Sequence, residues 1–403
     1  MINIGESSAF DEEINRRVVP ALKVHPKVLG VDGGDLFAAG VADMDFKAPP
    51  AVVEAMQRRL DHGVFGYEAV PDGLVPALTG WLNSRHGWQV DEDHVLRAPN
   101  ILNALAIAAS LFTDEGDGVI VQPPVFFDFF DILHENRRSL ISNPLILEGG
   151  RYQMDFVDLG RKAADPKAKM VYLCNPHNPV GRVWSADELR QLGDICARHG
   201  VLVVADEIHG DITFSGHRHT PFASLGPDHA DNCISCLSPA KSVNIASCCS
   251  AFTVIANDDL RRAFQVENSR LTVNKNNAFA NVAMEAAYRH GGPWLDAALA
   301  YLEENVKLVR DRLESLPEVG LIEPQGTFLL WFDFRELRLI PDDLRAFLRN
   351  DANWFVTRGE AFGPEGAGFA RVNIACTRRK LSSALDDLRQ AISARSCRPQ
   401  LQR

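Results

Sequence analysis

The chain has no long apolar run. No stretch approaches the roughly 20 residues that a helix needs to span a bilayer, so no membrane helix is expected. It also has no basic run longer than three residues, and 42 basic against 53 acidic residues leave a formal charge of −11. That balance argues against nucleic acid or an anionic membrane as a main partner. Internal repeats, low-complexity tracts and Pro/Gly linkers are missing. The opening residues, Met1 to Glu6, carry neither a basic region nor an apolar core of a secretory signal, so a cytoplasmic protein is expected. Cys233-Ile-Ser-Cys236 has no second CxxC and no nearby histidine pair. It lies in an apolar strand pattern, where residues three apart face opposite sides. The eight cysteines therefore read as structural thiols in a reducing compartment, not as a metal or redox site.

What is present is enough chain for two lobes with large cores: 403 residues. Helices are predicted over Pro50–His62, Gly73–His86 and Ile101–Phe112, with strands at Val95–Ala98 and Gly118–Gln122. Further strands are predicted at Met170–Cys174, Val201–Ala205 and Cys233–Leu237, and Ser185 with Glu188 forms a capping box that opens a helix. Such alternation implies a mostly parallel, doubly wound sheet. After about residue 290 the pattern changes to a long helix, Pro293–Ser315, then strands near Gly326–Phe334 and Phe369–Ala375 with a helix Pro341–Asn350 between them, and a last helix Lys380–Ser393. The expected division is a large domain over residues 49–288, a smaller α+β domain from 1–48 and 289–395, and a disordered polar tail at 396–403.

Three short motifs each follow a predicted strand: Asn175-Pro-His-Asn-Pro-Val-Gly181, Val204-Ala-Asp-Glu-Ile-His209 and Leu237-Ser-Pro-Ala-Lys-Ser-Val-Asn244. The carboxyl ends of neighbouring parallel strands are where an open α/β sheet gathers reactive groups. There the motifs would bring together an amide (Asn178), a buried carboxylate (Asp206) and an amine (Lys241). Pyridoxal phosphate (PLP) needs a carboxylate at its pyridine nitrogen, donors at its ring oxygen and a lysine for the Schiff base. The cofactor expected is therefore PLP. Glu207 is set aside as the pyridine partner because neighbouring residues at a strand end point to opposite sides.

In order and spacing these motifs resemble the fold-type I aminotransferase superfamily, and within it the cystathionine β-lyase branch of MalY/PatB type. The resemblance extends to Val41-Ala-Asp-Met-Asp-Phe46, Phe65-Gly-Tyr67, Trp81-Leu-Asn-Ser-Arg-His-Gly-Trp88 and Gly368-Phe-Ala-Arg-Val-Asn-Ile-Ala375, from about Phe10 to about Ile392. It implies an α/β, aspartate aminotransferase-like fold and a catalytic pair, Lys241 and Asp206. Lys241 would carry the cofactor and, once freed by substrate, act as general base at Cα. The resemblance places His209 and Asn178 at the ring oxygen and an aromatic ring, here Phe126, on the cofactor face. The phosphate has no GxGxxG. Instead it would sit on the helix start at Asn100, Ile101 and Leu102, with the Ser238 hydroxyl. Tyr67 would reach the phosphate of a partner subunit, giving a homodimer with composite sites. Arg371 would grip the α-carboxylate of an amino-acid substrate through its planar fork.

The sequence departs from that branch at several points. Phe126 stands where the branch has a tyrosine whose hydroxyl assists the departing thiolate. Gly40 replaces a tryptophan at the pocket edge, which would admit a bulkier substrate. Cys249 occupies a position where many relatives of the wider superfamily carry a cation. Ala21 and Val24 replace a serine and a tryptophan in an N-terminal pattern. These features resemble specialised members in bacterial antibiotic (lincosamide) assembly that process S-cysteine conjugates. The expected function is C–S β-lysis of a cysteine S-conjugate. The alternatives are decarboxylation-dependent oxidative deamination of a bulky S-cysteinyl conjugate, and class I/II transamination.

Overall fold

The apolar runs between Val95 and Val254 become the strands of one sheet. The computed structural model describes residues 9–30, 36–248, 250–273, 275 and 277–396. The expected disordered tail (396–403) lies outside them apart from the backbone of Ser396, and so does Cys249. The sheet strands are β1 (Val95–Ala98), β2 (Gly118–Val121), β3 (Ser139–Ser142), β4 (Ala168–Cys174), β5 (Leu202–Asp206), β6 (Cys233–Leu237) and β7 (Ala251–Val254). Their spatial order is β1-β7-β6-β5-β4-β2-β3. β7 runs antiparallel to both of its neighbours, β1 and β6; the β4–β5, β5–β6, β2–β4 and β2–β3 pairs are parallel. Strands β2, β5 and β6 are buried along their whole length, as strands covered on both faces must be.

Local chemistry sets the helix ends. Asn100 caps the helix Ile101–Phe112 by accepting from the Asn103 N–H at 2.8 Å. Ser185 and Glu188 close the expected capping box at the start of Ala186–His199. Gly200, at φ 67°, ends that helix in the left-handed conformation that glycine adopts without a Cβ clash. The helix expected over Gly73–His86 differs from observation: the regular helix is Leu74–Trp81, followed by a wider turn over Leu82–His86. Trp81 and His86, five apart, would face different ways on a regular helix. The wider turn aligns them, and the Trp81 Nε1–H and His86 Nε2 both meet Asp211 Oδ1 at 2.9 Å.

The chain divides into two compact units. One holds residues 48–297 with Gln325–Thr327; the other holds the described residues before 48, then 298–324 and those after 327. The three-residue return belongs with the first because Gln325 O accepts from the Phe214 N–H (3.0 Å) and Thr327 N–H donates to Ile212 O (2.8 Å). The core of the first unit packs the buried face of Ile101–Phe112 and Phe129 against β2, β4, β5 and β6. In the second unit Gly320–Ile322, Leu329–Asp333, Phe369–Asn373 and Thr357–Arg358 form an antiparallel sheet in that spatial order.

Candidate active site

Because β4, β5 and β6 are neighbours, their carboxyl ends gather the three motifs on one edge. Cys174 pairs with Asp206, and Asp206 with Cys236. Asp206 is buried and its carboxyl is pushed up to about 6. Burial is the main cause; the Ile208 N–H (3.1 Å from Oδ1) and the Lys241 ammonium pull the other way, and Asp128 adds to the rise. Lys241, half-buried on the turn after β6, is thus close enough to act on this carboxyl. Asn178 and His209 are buried near the same edge. Asn178 donates its N–H to Cys174 Sγ at 3.3 Å, while Asn175 fixes the loop by donating to Thr220 O at 3.0 Å.

Glu207 turns away to the other side of the strand end. It accepts from the Phe222 N–H (2.8 Å) and from Asn175 (3.4 Å). Burial raises its carboxyl to about 8, which disfavours a second negative charge beside Asp206. His219 Nε2 stands 3.6 Å from it, an imidazole that burial holds neutral.

At the helix start, the Asn100 side chain satisfies Asn103. The N–H groups of Ile101 and Leu102, in the first turn, have no acceptor within the helix. The Ser238 hydroxyl donates to Ser250 O at 2.7 Å and accepts from the Ala240 N–H at 3.2 Å. Bordering this turn is a cavity of about 210 Å³ lined by Arg97, Pro99, Ser250, Lys275 and Asn277, among others. Arg97 donates to Asn281 Oδ1 at 2.8 Å, and burial lowers its guanidinium pKa. Neither Arg97 nor Lys275 belongs to the sequence motifs; a charged residue two before Pro99, at a strand end, is the signal that marks Arg97. Phe126 is half-buried, leaning on Phe129 at the edge of the core. Tyr67 is fully exposed, in a segment where Val64 and Phe65 are also exposed.

Gly40 and Arg371 belong to the other unit. Arg371, buried on Phe369–Asn373, donates through Nη2 to Gly40 O at 2.8 Å and to Thr357 Oγ1 at 3.3 Å, and lies over the Phe362 ring at 4.9 Å. A Cβ on Gly40 would meet Thr357 at ordinary contact distance. Cys233 and Cys236 are fully buried, with thiols driven well above their usual range by burial. The six described cysteines are free, and no metal-holding cluster occurs among the described residues.

This donor set fits pyridoxal phosphate. A desolvated carboxyl calls for a cation such as a protonated pyridine, an amine stands near it, and a helix start offers N–H groups to a dianion. The match to the aminotransferase class I and II family model over residues 36–388 shows that the chain belongs to that family of PLP-dependent enzymes. Among its relatives, the cystathionine beta-lyase PatB of Bacillus subtilis (strain 168) is 42% identical over 361 residues, covering 89% of this chain and 93% of that protein. Protein MalY of Escherichia coli (strain K12) is 32% identical over 89% of this chain and 92% of its own. The crystal structure of cystalysin from Treponema denticola, which contains a pyridoxal 5'-phosphate cofactor, matches with a TM-score of 0.92 at 32% identity, over 96% of this chain and 98% of that one. A PLP-bound C-S lyase from Staphylococcus hominis matches at 0.88 and 32%, over 95% and 98%. These likenesses support the C–S lyase default and lend no support to the two alternatives. No helix among the described residues is long and apolar enough to cross a membrane.

Proposed function

We propose that the protein is a C–S β-lyase that converts a cysteine S-conjugate and water into a thiol, pyruvate and ammonia. The observation that carries this is the nearness of Lys241, on the turn after β6, to Asp206 at the end of the adjacent β5, in a chain whose relatives include named C–S lyases. When bound, PLP draws electrons from the substrate Cα and so weakens its C–H bond. Asp206 supplies the negative charge that keeps the pyridine nitrogen protonated. The Lys241 amine takes the Cα proton. Arg371 fixes the α-carboxylate and so sets which Cα bond is activated. Asn178 and His209 would hold the ring oxygen, Phe126 would cover the ring face, and the N–H groups of Ile101 and Leu102 with Ser238 would hold the phosphate. Arg97 supplies the positive charge absent at Cys249, because its guanidinium borders the cavity at that turn.

The glycine at position 40, beside Arg371 and in place of the branch's tryptophan, supports a substrate with a large sulfur substituent, of the kind specialised biosynthesis presents. The active species is a homodimer: the exposed apolar segment with Val64, Phe65 and Tyr67 suits a partner subunit's surface. The six described cysteines are free and five of them are buried, which supports a reducing, cytoplasmic setting. Incubation with a bulky S-alkyl cysteine, with products assigned by mass spectrometry, tests the reaction. Pyruvate and free thiol are expected. A keto acid that keeps its sulfur, or an aldehyde with CO2, overturns the reading.

A further inference from the structure

The segment from Ala39 to Asp45 has little regular structure; donors hold its carbonyls one after another. Ala39 O accepts from the Asn373 N–H (2.9 Å), and Gly40 O from Arg371 Nη2 (2.8 Å) and the Thr357 hydroxyl (2.9 Å). Val41 O and Asp43 O both accept from Asn373 Nδ2, at 2.7 and 2.6 Å. Asp43 O also accepts from Lys23 Nζ (2.8 Å), Met44 O accepts from Arg16 (2.9 Å), and the Asp45 N–H donates to Ala375 O (2.8 Å). The two carboxylates of the same segment bind three cations. Asp43 meets Arg16 at 2.6 Å and Lys23 at 3.0 Å. Asp45 meets Lys380 at 2.7 Å, Lys23 at 2.9 Å and Arg16 at 3.1 Å. Lys23 is 2% exposed.

A buried ion network is a weak route to stability, because desolvation offsets much of the Coulomb gain. Its strength is direction: each bond fixes an atom's position. Here the atom that matters is Gly40 O, because it orients the Arg371 guanidinium, and a planar fork grips a carboxylate well only when aimed correctly. We infer that Asp43, Asp45, Lys23 and Lys380 are positioning residues for substrate binding: they clamp the 39–45 segment so that Gly40 O aims Arg371 at the substrate carboxylate. The inference deepens the reading of Arg371 given above and rests on it.

The holoenzyme and L-alanine, an amino acid with no β-leaving group, make the test independent of C–S cleavage. L-alanine affinity is read from the cofactor absorbance, and PLP affinity is measured in parallel. Asp45→Asn and Lys23→Met should each weaken L-alanine binding by about tenfold, inside the ~10²-fold that a 1 Å misplacement can cost, with PLP affinity kept. Lys23→Arg should recover most of the loss. In an Arg371→Ala background the same changes should add less than about twofold, since coupled residues are not additive. Equal losses in both backgrounds, or PLP affinity falling in step, would make the network structural only and overturn the inference. Unchanged L-alanine affinity in Arg371→Ala alone would remove the carboxylate grip and the clamp together. Continued release of pyruvate and thiol from an S-alkyl cysteine would still leave the lyase reading standing. If Asp45→Asn does not fold, Lys380→Gln, at the rim of the network, decides by the same comparison.

Discussion

Asp206 and Asp45 are both buried aspartates, and their carboxyls are displaced in opposite directions. At Asp206 burial wins: against it stand one N–H and one lysine, and the pKa rises to about 6. At Asp45 burial also pushes upward, but Lys23 and Lys380 outweigh it and the pKa falls to about 2. The same side chain is thus self-sufficient in one unit and short of positive charge in the other. A carboxylate that the protein satisfies by itself holds structure. One left short of a cation suits a cofactor that brings its own.

The sharpest test of that contrast is Lys241. Lys241→Arg keeps the charge near Asp206 but cannot form the covalent link, so lyase activity should fall by about 10⁴-fold or more, and the yellow, borohydride-reducible adduct should vanish. A reduced adduct on another lysine would reassign the site. Next comes Asp206→Asn, expected to lower activity by about 10²–10³-fold through loss of the charge at the pyridine nitrogen. The pH dependence follows from the sign of the shift. Ionising Asp206 in the cofactor-free fold costs about 3 kcal/mol, from the gap between 3.8 and about 6. That cost appears as pH rises through this window, and a bound pyridinium relieves it. PLP affinity should therefore strengthen from pH 4 to above 6 in the wild type and vary less in Asp206→Asn, as fluorescence titration would report.

Asp45 should behave in the opposite sense. Its depressed pKa contributes about 2 kcal/mol above pH 4, lost as pH falls through about 2. Asp45→Asn, which leaves Lys23 buried with one ion partner fewer, should cost about 3 kcal/mol at pH 7. In urea unfolding the gap to wild type should narrow below pH 4. A gap independent of pH would show that the ion contacts are not the cause.

The two regions also differ in how far the sequence exposed them. Asn178, Asp206 and Lys241 were legible because each follows its own apolar strand, and parallel neighbours place strand ends together. Helix Ala186–His199 was legible from a four-residue capping box, Ser185 to Glu188. The ion network was not, since Lys380 lies 335 residues from Asp45 and no local pattern links them; Val41–Phe46 was visible only as a likeness. The reversed strand β7 was missed because it closely follows Cys248 on a short apolar stretch without alternation. The turn at Leu82–His86 was missed because it needs the distant Asp211 to explain why the helix widens there.

The smallest expected effect concerns Phe126. Its ring rests on Phe129 and the core of the first unit, so a hydroxyl added at the ring tip should leave that packing intact and cofactor affinity nearly unchanged. Phenylalanine can cover a cofactor ring but has no proton for a departing thiolate, and missing general-acid help typically costs about 10²–10⁴-fold. Phe126→Tyr should restore only part of that, perturbing neither Lys241 nor Asp206: an increase of up to about tenfold in pyruvate and thiol release. The gain should be largest for alkyl thiolates, which are strong bases and leave poorly, and smallest for aryl thiolates, which leave without help. An equal gain for both substituents would mean that the hydroxyl changes binding and not the proton transfer. No gain would mean that another group already protonates the sulfur.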